Sequence, residues 1–193
     1  MSRQRSVAIF CGSSSGFDPA YAQAAKAMGR AIVAQDLRLV YGAGSVGLMG
    51  VVADEVLRLG GRVLGVIPQF LVDMEVGHHG LTELIVCESM HERKLAMAEA
   101  ADGFIALPGG IGTLEEIVEV FTWTQLGIHR KQCGLLNVSG YYDPLRALLQ
   151  RMVTDGFLKD AQAERLRVSE DAAALLDLVM AEPTWEREEK WVK

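Results

Sequence analysis

A chain of 193 residues, 50% hydrophobic and 23% charged, is long enough to bury one substantial core without disulfides or metal. A formal charge of -6, with no block of Lys or Arg, argues against a nucleic-acid partner held by phosphate neutralisation and leaves room only for a local pocket taking one small anion. Cys11, Cys87 and Cys133 are widely spaced with no CxxC, as expected of buried thiols in a reducing compartment. No stretch approaches a signal-peptide core or a membrane span, so no membrane partner and a cytoplasmic address are expected.

From the N-terminus, SVAIFC is predicted as a strand buried on both faces, and it runs into the turn CGSSSG. Asp18-Pro19 supplies an N-cap and a first-turn proline for the helix AYAQAAKAMGRAIVAQ. LRLVYG is the next strand and opens the second glycine-rich turn, YGAGSVGLMG; RVLGVIP and TELIVC follow as strands likewise expected to be buried on both faces. Ser89-Met90-His91-Glu92 is a capping box that starts a helix to about Ala100. DGFIALP is a further strand leading into the third turn, LPGGIGT, and Thr113-Leu114-Glu115-Glu116 has the form of a second capping box. After the strand CGLLNV, Asp143-Pro144 opens a helix to about Asp155, and Glu170-Asp171 precedes AAALLDLVM.

Strand and helix alternate throughout, which predicts an α/β fold: one Rossmann-like, doubly wound parallel sheet flanked by helices over residues 1–182. Residues 183–193 form a charged tail whose tryptophans are expected to pack on the body. In such sheets ligands sit beyond the carboxyl ends of the strands, where the three glycine-rich turns fall, so backbone amides and helix dipoles there suit a phosphate.

Gly42, Gly44 and Gly47 fit GxGxxG, but the acidic ribose ligand expected about twenty residues on is replaced by Gly61-Arg62, which disfavours a dinucleotide. No GKS or GKT is present for a P-loop. His78-His79 are adjacent, lack the spacing of two ligands on one helix face, and have no Cys-His cluster beside them, so no metal is expected. Cys11 has no fixed His partner and is read as a small buried residue.

Two segments discriminate further: Met90-His91-Glu92-Arg93-Lys94, and Pro108 to Glu116, which reads PGGIGTLEE. Together they resemble the LOG (Lonely Guy) family of cytokinin riboside 5′-monophosphate phosphoribohydrolases, whose signature is PGGxGTxxE. The resemblance extends from CGSSSG through VYGAGSVGLMG, GVIP and MHERK to FTWTQLGIHRK and GLLNVSGYYDPL. It departs from the family at Ala43, where a third consecutive glycine is common; the added methyl strains the turn only if φ must be positive there. Some members have been labelled lysine decarboxylases, but nothing in this sequence points to pyridoxal phosphate chemistry.

The resemblance implies hydrolysis, without a cofactor, of the N-glycosidic bond of AMP-like nucleotides, including N6-prenylated ones, by a homodimer. It assigns catalysis to Glu116 and Arg93. A carboxylate near C1′ can stabilise a cationic sugar or activate water, and an arginine fork can grip phosphate or carboxylate at any working pH. Gly110, Ile111, Gly112 and Thr113 are implied as the phosphate cradle; Glu75, Met90, Lys94, Gly109, Thr122, Ser13 and Gly44 are the further substrate-binding candidates. The residues alone leave Glu116 an alternative as the capping partner of Thr113. With Leu114, Ile117, Val118 and Phe121 as the apolar stripe, Glu116 points roughly 150–160° away from it at about 100° per residue, so its site needs another wall, expected from a second subunit. A non-catalytic nucleotide or molybdenum-cofactor carrier on the same fold is the alternative function.

Overall fold

Each apolar run expected as a strand forms one in the computed structural model, which describes residues 3–74 and 77–185. The strands are Ser6–Phe10 (β1), Arg38–Tyr41 (β2), Arg62–Pro68 (β3), Glu83–Cys87 (β4), Gly103–Ala106 (β5), Gln132–Leu136 (β6) and Leu166–Ser169 (β7). All pair in parallel, in the order β4-β3-β2-β1-β5-β6-β7. The helices are Pro19–Ala34 (α1), Gly47–Arg58 (α2), Gln69–Asp73 (α3), Met90–Ala100 (α4), Ile111–Gln125 (α5), Asp143–Thr154 (α6), Asp160–Ala163 (α7) and Ala172–Met180 (α8). No helix of the described residues is long and apolar enough to cross a membrane.

Side chains alternate across the sheet with the strand period of two, and this divides the core. Val7 and Ile9 of β1 join Leu39, Tyr41 and Ile105 beneath α1, α2 and α8. Ala8 and Phe10 join Val40, Val66 and Phe104 beneath α4 and α5. Burying a Leu, Ile or Phe side chain fully is worth about 1.5–3 kcal/mol, so these two layers carry most of the fold's stability.

The chain builds outward from β1 to β4, then returns to lay β5 against the other side of β1. The crevice of this sheet therefore opens where β1 and β5 end. Their turns are tied together: Leu107 donates its amide to the Phe10 carbonyl (2.9 Å), and Gly12 donates to Pro108 (3.1 Å). The second turn joins them through Leu48, which donates to Gly12 (3.0 Å). Gly47 has to be glycine: its φ is +64°, and a Cβ there would lie 2.3 Å from the Ser13 carbonyl carbon.

Several expectations change. β4 is an edge strand rather than one buried on both faces, and Leu84, Ile85 and Val86 are exposed. β7, whose short LRVS run carries no strong strand signal, and the single-turn α3 were both unread. Ala43 does adopt a positive φ of 57°, so the turn demands what a glycine supplies more readily. Trp185 packs on the body as expected, with Arg165 4.3 Å and Arg130 5.7 Å from its ring; the rest of the tail from residue 186 lies outside the described residues.

Candidate active site

Helix α5 starts three residues earlier than its sequence suggests. Its N-cap is Gly110, which offers no side chain to the first turn, and Ile111 is the first helical residue. Thr113 is thus inside the first turn and buried, so it is not an N-cap and Glu116 is not its capping-box partner. The Ser89 box on α4 does form in its first half: Ser89 Oγ accepts from the Glu92 amide (3.2 Å), while Glu92 reaches back to the Glu88 amide (2.9 Å).

The buried face of α5 is also rotated from the expected stripe. It consists of Thr113, Ile117, Val120, Phe121 and Thr124, whereas Val118 is exposed. Counting the two threonines as buried moves the stripe until Glu116 stands roughly 85° from its centre, at about 100° per residue. Glu116 therefore borders the core, and only 11% of its side chain is exposed. Its wall comes from α4 of the same chain, which corrects the expectation that a second subunit must supply one.

That wall is Arg93. It lies one helical turn before the buried Met97 and is itself buried, with only 8% of its surface exposed. Its Nη1 donates to Glu116 Oε1 at 2.9 Å and its Nε to the Val66 carbonyl on β3 at 3.3 Å. The guanidinium passes so close to Gly42 that a Cβ there would come within 2.0 Å of Nη2. Gly42 is thus a site residue missed from sequence; its place in YGAGSVG marked it as a turn glycine, and nothing local shows that α4 lays an arginine over it.

The pair sits in a contested electrostatic setting. Burial raises the proton affinity of Glu116 above the ordinary carboxylate range, while Arg93, by charge and hydrogen bond, and Lys94 oppose that rise. Beneath it, burial pushes the Cys11 thiol up strongly, with the Glu116 charge adding to the effect. Cys11 is therefore a packed, inert thiol rather than a nucleophile.

At the start of the helix that carries Glu116, the first and third turns line a cavity of about 230 Å³, with Ser13, Ser14, Gly109, Gly110 and Tyr141 among its walls. A Cβ on Gly109 would meet Thr113 Oγ1 at 2.2 Å and the Gly12 amide nitrogen at 2.8 Å, so only glycine fits. Gly110 and Gly112 face no atom of the chain within contact range, and packing does not dictate glycine there. Both belong to the start of α5, whose amides and dipole favour an anion.

The remaining candidates scatter. Lys94 bridges α4 to α5, 2.5 Å from Glu115 and 3.1 Å from Glu119, and these partners raise its proton affinity despite partial burial. Met90 and Ile111 are exposed at the starts of α4 and α5. Thr122 turns its hydroxyl back to the Val118 carbonyl (2.7 Å). Gly44 forms an isolated bridge with Gly77, and its free side is filled by Met49. Glu75 lies outside the described residues. His78 is held by Asp54 at 3.0 Å, and no group of three metal-ligating side chains occurs among the described residues.

Comparison with known proteins adds three findings. Residues 49–179 match the model of a family described as "possible lysine decarboxylase". The cytokinin riboside 5′-monophosphate phosphoribohydrolase of Rhodococcoides fascians is 51% identical over 86% of this chain and 85% of that protein. One from Arabidopsis thaliana is 46% identical over 98% and 87%. Among solved structures, a molybdenum-cofactor binding protein from Rippkaea orientalis superposes with a TM-score of 0.70 over 93% of this chain and 97% of its own, at 17% identity, and so shares the fold. The decarboxylase description finds no support in Lys94: an amine paired with two carboxylates is held as an ammonium and is not poised to form a Schiff base.

Proposed function

The chain belongs to the LOG family of phosphoribohydrolases, and on that premise we propose that it hydrolyses the N-glycosidic bond of AMP and of N6-prenylated adenosine 5′-monophosphates. The products are the free base and ribose 5-phosphate. The observation that carries the reading is the buried Arg93–Glu116 pair on the helix whose N-cap, Gly110, lines the glycine cradle. From the start of α5 to Glu116 the helix rises roughly 8 Å, about the length that separates a 5′-phosphate from the far side of its ribose.

Mechanistically, Gly110, Ile111, Gly112 and Thr113 hold the 5′-phosphate at the helix start. Glu116 then faces C1′. As the C1′–N bond breaks, the base departs with the electron pair and the sugar becomes cationic; the carboxylate stabilises that charge and takes a proton from the water that adds to C1′. Arg93 opposes the rise in the proton affinity of Glu116 and directs its carboxylate. A carrier protein needs the cradle but has no use for a carboxylate buried against an arginine beyond it, which favours the enzyme over the carrier reading.

A homodimer is part of the proposal. Support comes from the apolar side chains left exposed on β4 and its neighbours, namely Leu84, Ile85, Val86, Phe70, Met90 and Leu95; monomers rarely leave such a patch bare. Val86→Lys should then shift the sedimentation coefficient from dimer to monomer. A cytoplasmic address and a body ending near residue 182 complete the reading.

The test is incubation with AMP and with isopentenyladenosine 5′-monophosphate, with chromatography for free base and ribose 5-phosphate. Glu116→Gln should remove turnover and leave the fold intact. Binding without turnover in the unmodified protein would favour the carrier, and full turnover in the variant would strip Glu116 of its role.

A further inference from the structure

The connection from β6 to α6 carries an unusual backbone. Ser139 and Gly140 both have positive φ, 51° and 73°, and serine is not a residue that takes up this conformation readily. Asn137 holds the loop from within: its Oδ1 accepts from the Tyr142 amide (2.7 Å) and its Nδ2 donates to Asp143 Oδ1 (2.9 Å). The outcome is two consecutive tyrosines reaching across to the third glycine turn. Tyr142, buried, donates its hydroxyl to the Leu107 carbonyl at 2.6 Å. Tyr141, more exposed, donates to the Gly109 carbonyl at 2.5 Å. The Tyr141 ring is braced edge-on by Tyr21 at 5.7 Å and by Tyr142 at 5.1 Å, and it lines the same cavity as Ser13 and Gly110.

The Gly109 carbonyl and the Gly110 amide belong to one planar trans peptide, so they point in opposite directions. A hydroxyl that fixes the first also aims the second. Flanked by glycine on both sides, this peptide has little else to stop it rotating, and a reversed plane would present a carbonyl oxygen where a phosphate needs a donor. Gly110 is also the N-cap of α5 and brings no side chain of its own to the task.

We propose that Tyr141 is a positioning residue for the 5′-phosphate, acting through the Gly109–Gly110 peptide, with the Asn137–Asp143 loop as its mount. The inference rests on the phosphoribohydrolase reading of the site. Tyr141→Phe keeps the ring and its aromatic contacts and removes only the hydroxyl. The KM for AMP should rise about five- to tenfold, the weight of one neutral hydrogen bond, with kcat within about twofold. Calorimetry should show the affinity for ribose 5-phosphate falling by a similar factor while that for adenine stays unchanged. An unchanged ribose 5-phosphate affinity would overturn the proposal, as would equal losses for ribose 5-phosphate and adenine, the mark of a general structural role. Absence of AMP turnover in the unmodified protein would instead strike the functional reading; the ribose 5-phosphate comparison would still decide the role of Tyr141.

Discussion

Arg93→Met keeps much of the side chain's apolar stem and deletes the guanidinium that lies 2.9 Å from Glu116. At an effective dielectric of about 20, unit charges at that separation attract by roughly 6 kcal/mol before desolvation is counted. Deleting one partner of a buried pair costs about 3–5 kcal/mol in stability. The deficit should depend on pH, with a sign that follows from the site. Burial raises the proton affinity of Glu116, and Arg93 opposes it; without Arg93 the folded protein keeps that proton to a higher pH than the unfolded chain does. Between the ordinary carboxylate range and the raised value, the folded state binds more protons, so stability falls as pH rises through that window. Urea unfolding at about pH 5 and about pH 8.5 separates the two regimes. At the lower pH the variant's Glu116 takes up its proton, and the deficit shrinks toward lost packing and the Val66 carbonyl left without its donor. At the higher pH it should approach the full 3–5 kcal/mol of a broken buried pair. Adding Glu116→Gln to Arg93→Met should flatten this dependence. A deficit equal at both pH values, or one that the second substitution leaves untouched, would refute the assignment of Glu116 as the carboxylate whose protonation Arg93 opposes.

Three further outcomes follow from the same geometry. Gly42→Ala places a Cβ within 2.0 Å of Arg93 Nη2, the movable end of a flexible side chain; unfolding should shift by no more than about 1–3 kcal/mol while AMP turnover falls at least about 100-fold, and turnover near wild type would show that Arg93 need not lie there. Ala43→Gly relieves a left-handed alanine, worth about 1–2 kcal/mol, but gives up a buried methyl of about 0.8 kcal/mol and adds about 0.4–1 kcal/mol of unfolded-chain entropy. The urea midpoint should therefore move by less than about 1 kcal/mol in equivalent stability, and a larger gain would reveal further strain in that turn. Burial pushes the Cys133 thiol up to about 12 and the Cys11 thiol higher still; mass spectrometry after brief alkylation at neutral pH should find the label on the partly exposed Cys87, and early labelling of Cys11 would contradict the packed site.

Six of the seven strands, the three glycine turns and the caps at Asp18, Ser89 and Asp171 were legible because each depends on residues within a few positions of one another. Arg93 and Glu116 stood out as candidates only by resemblance. Local rules read Glu116 as a cap partner and as turned outward, and both readings failed for physical reasons. Gly110 takes the N-cap without a side chain, and Thr113 and Thr124 are buried among apolar neighbours that a hydrophobic stripe alone does not count. Likewise Leu84, Ile85 and Val86 have the composition of a central strand, and their exposure follows from β4 being last in the sheet, which no property of those residues announces.

Hydrophobic period, turn chemistry and capping act over one or two turns of chain, and they sufficed for an alternating α/β order with glycine turns at the strand ends. The meeting of α4 with α5 joins residues 23 positions apart, Arg93 and Glu116, over a glycine more than fifty residues earlier than either. Only packing on a common sheet brings those three together, because burial and ion pairing depend on neighbours in space. That packing decided that LPGGIGTLEE ends in a carboxylate hydrogen-bonded to a buried arginine inside the protein rather than in a helix cap facing water.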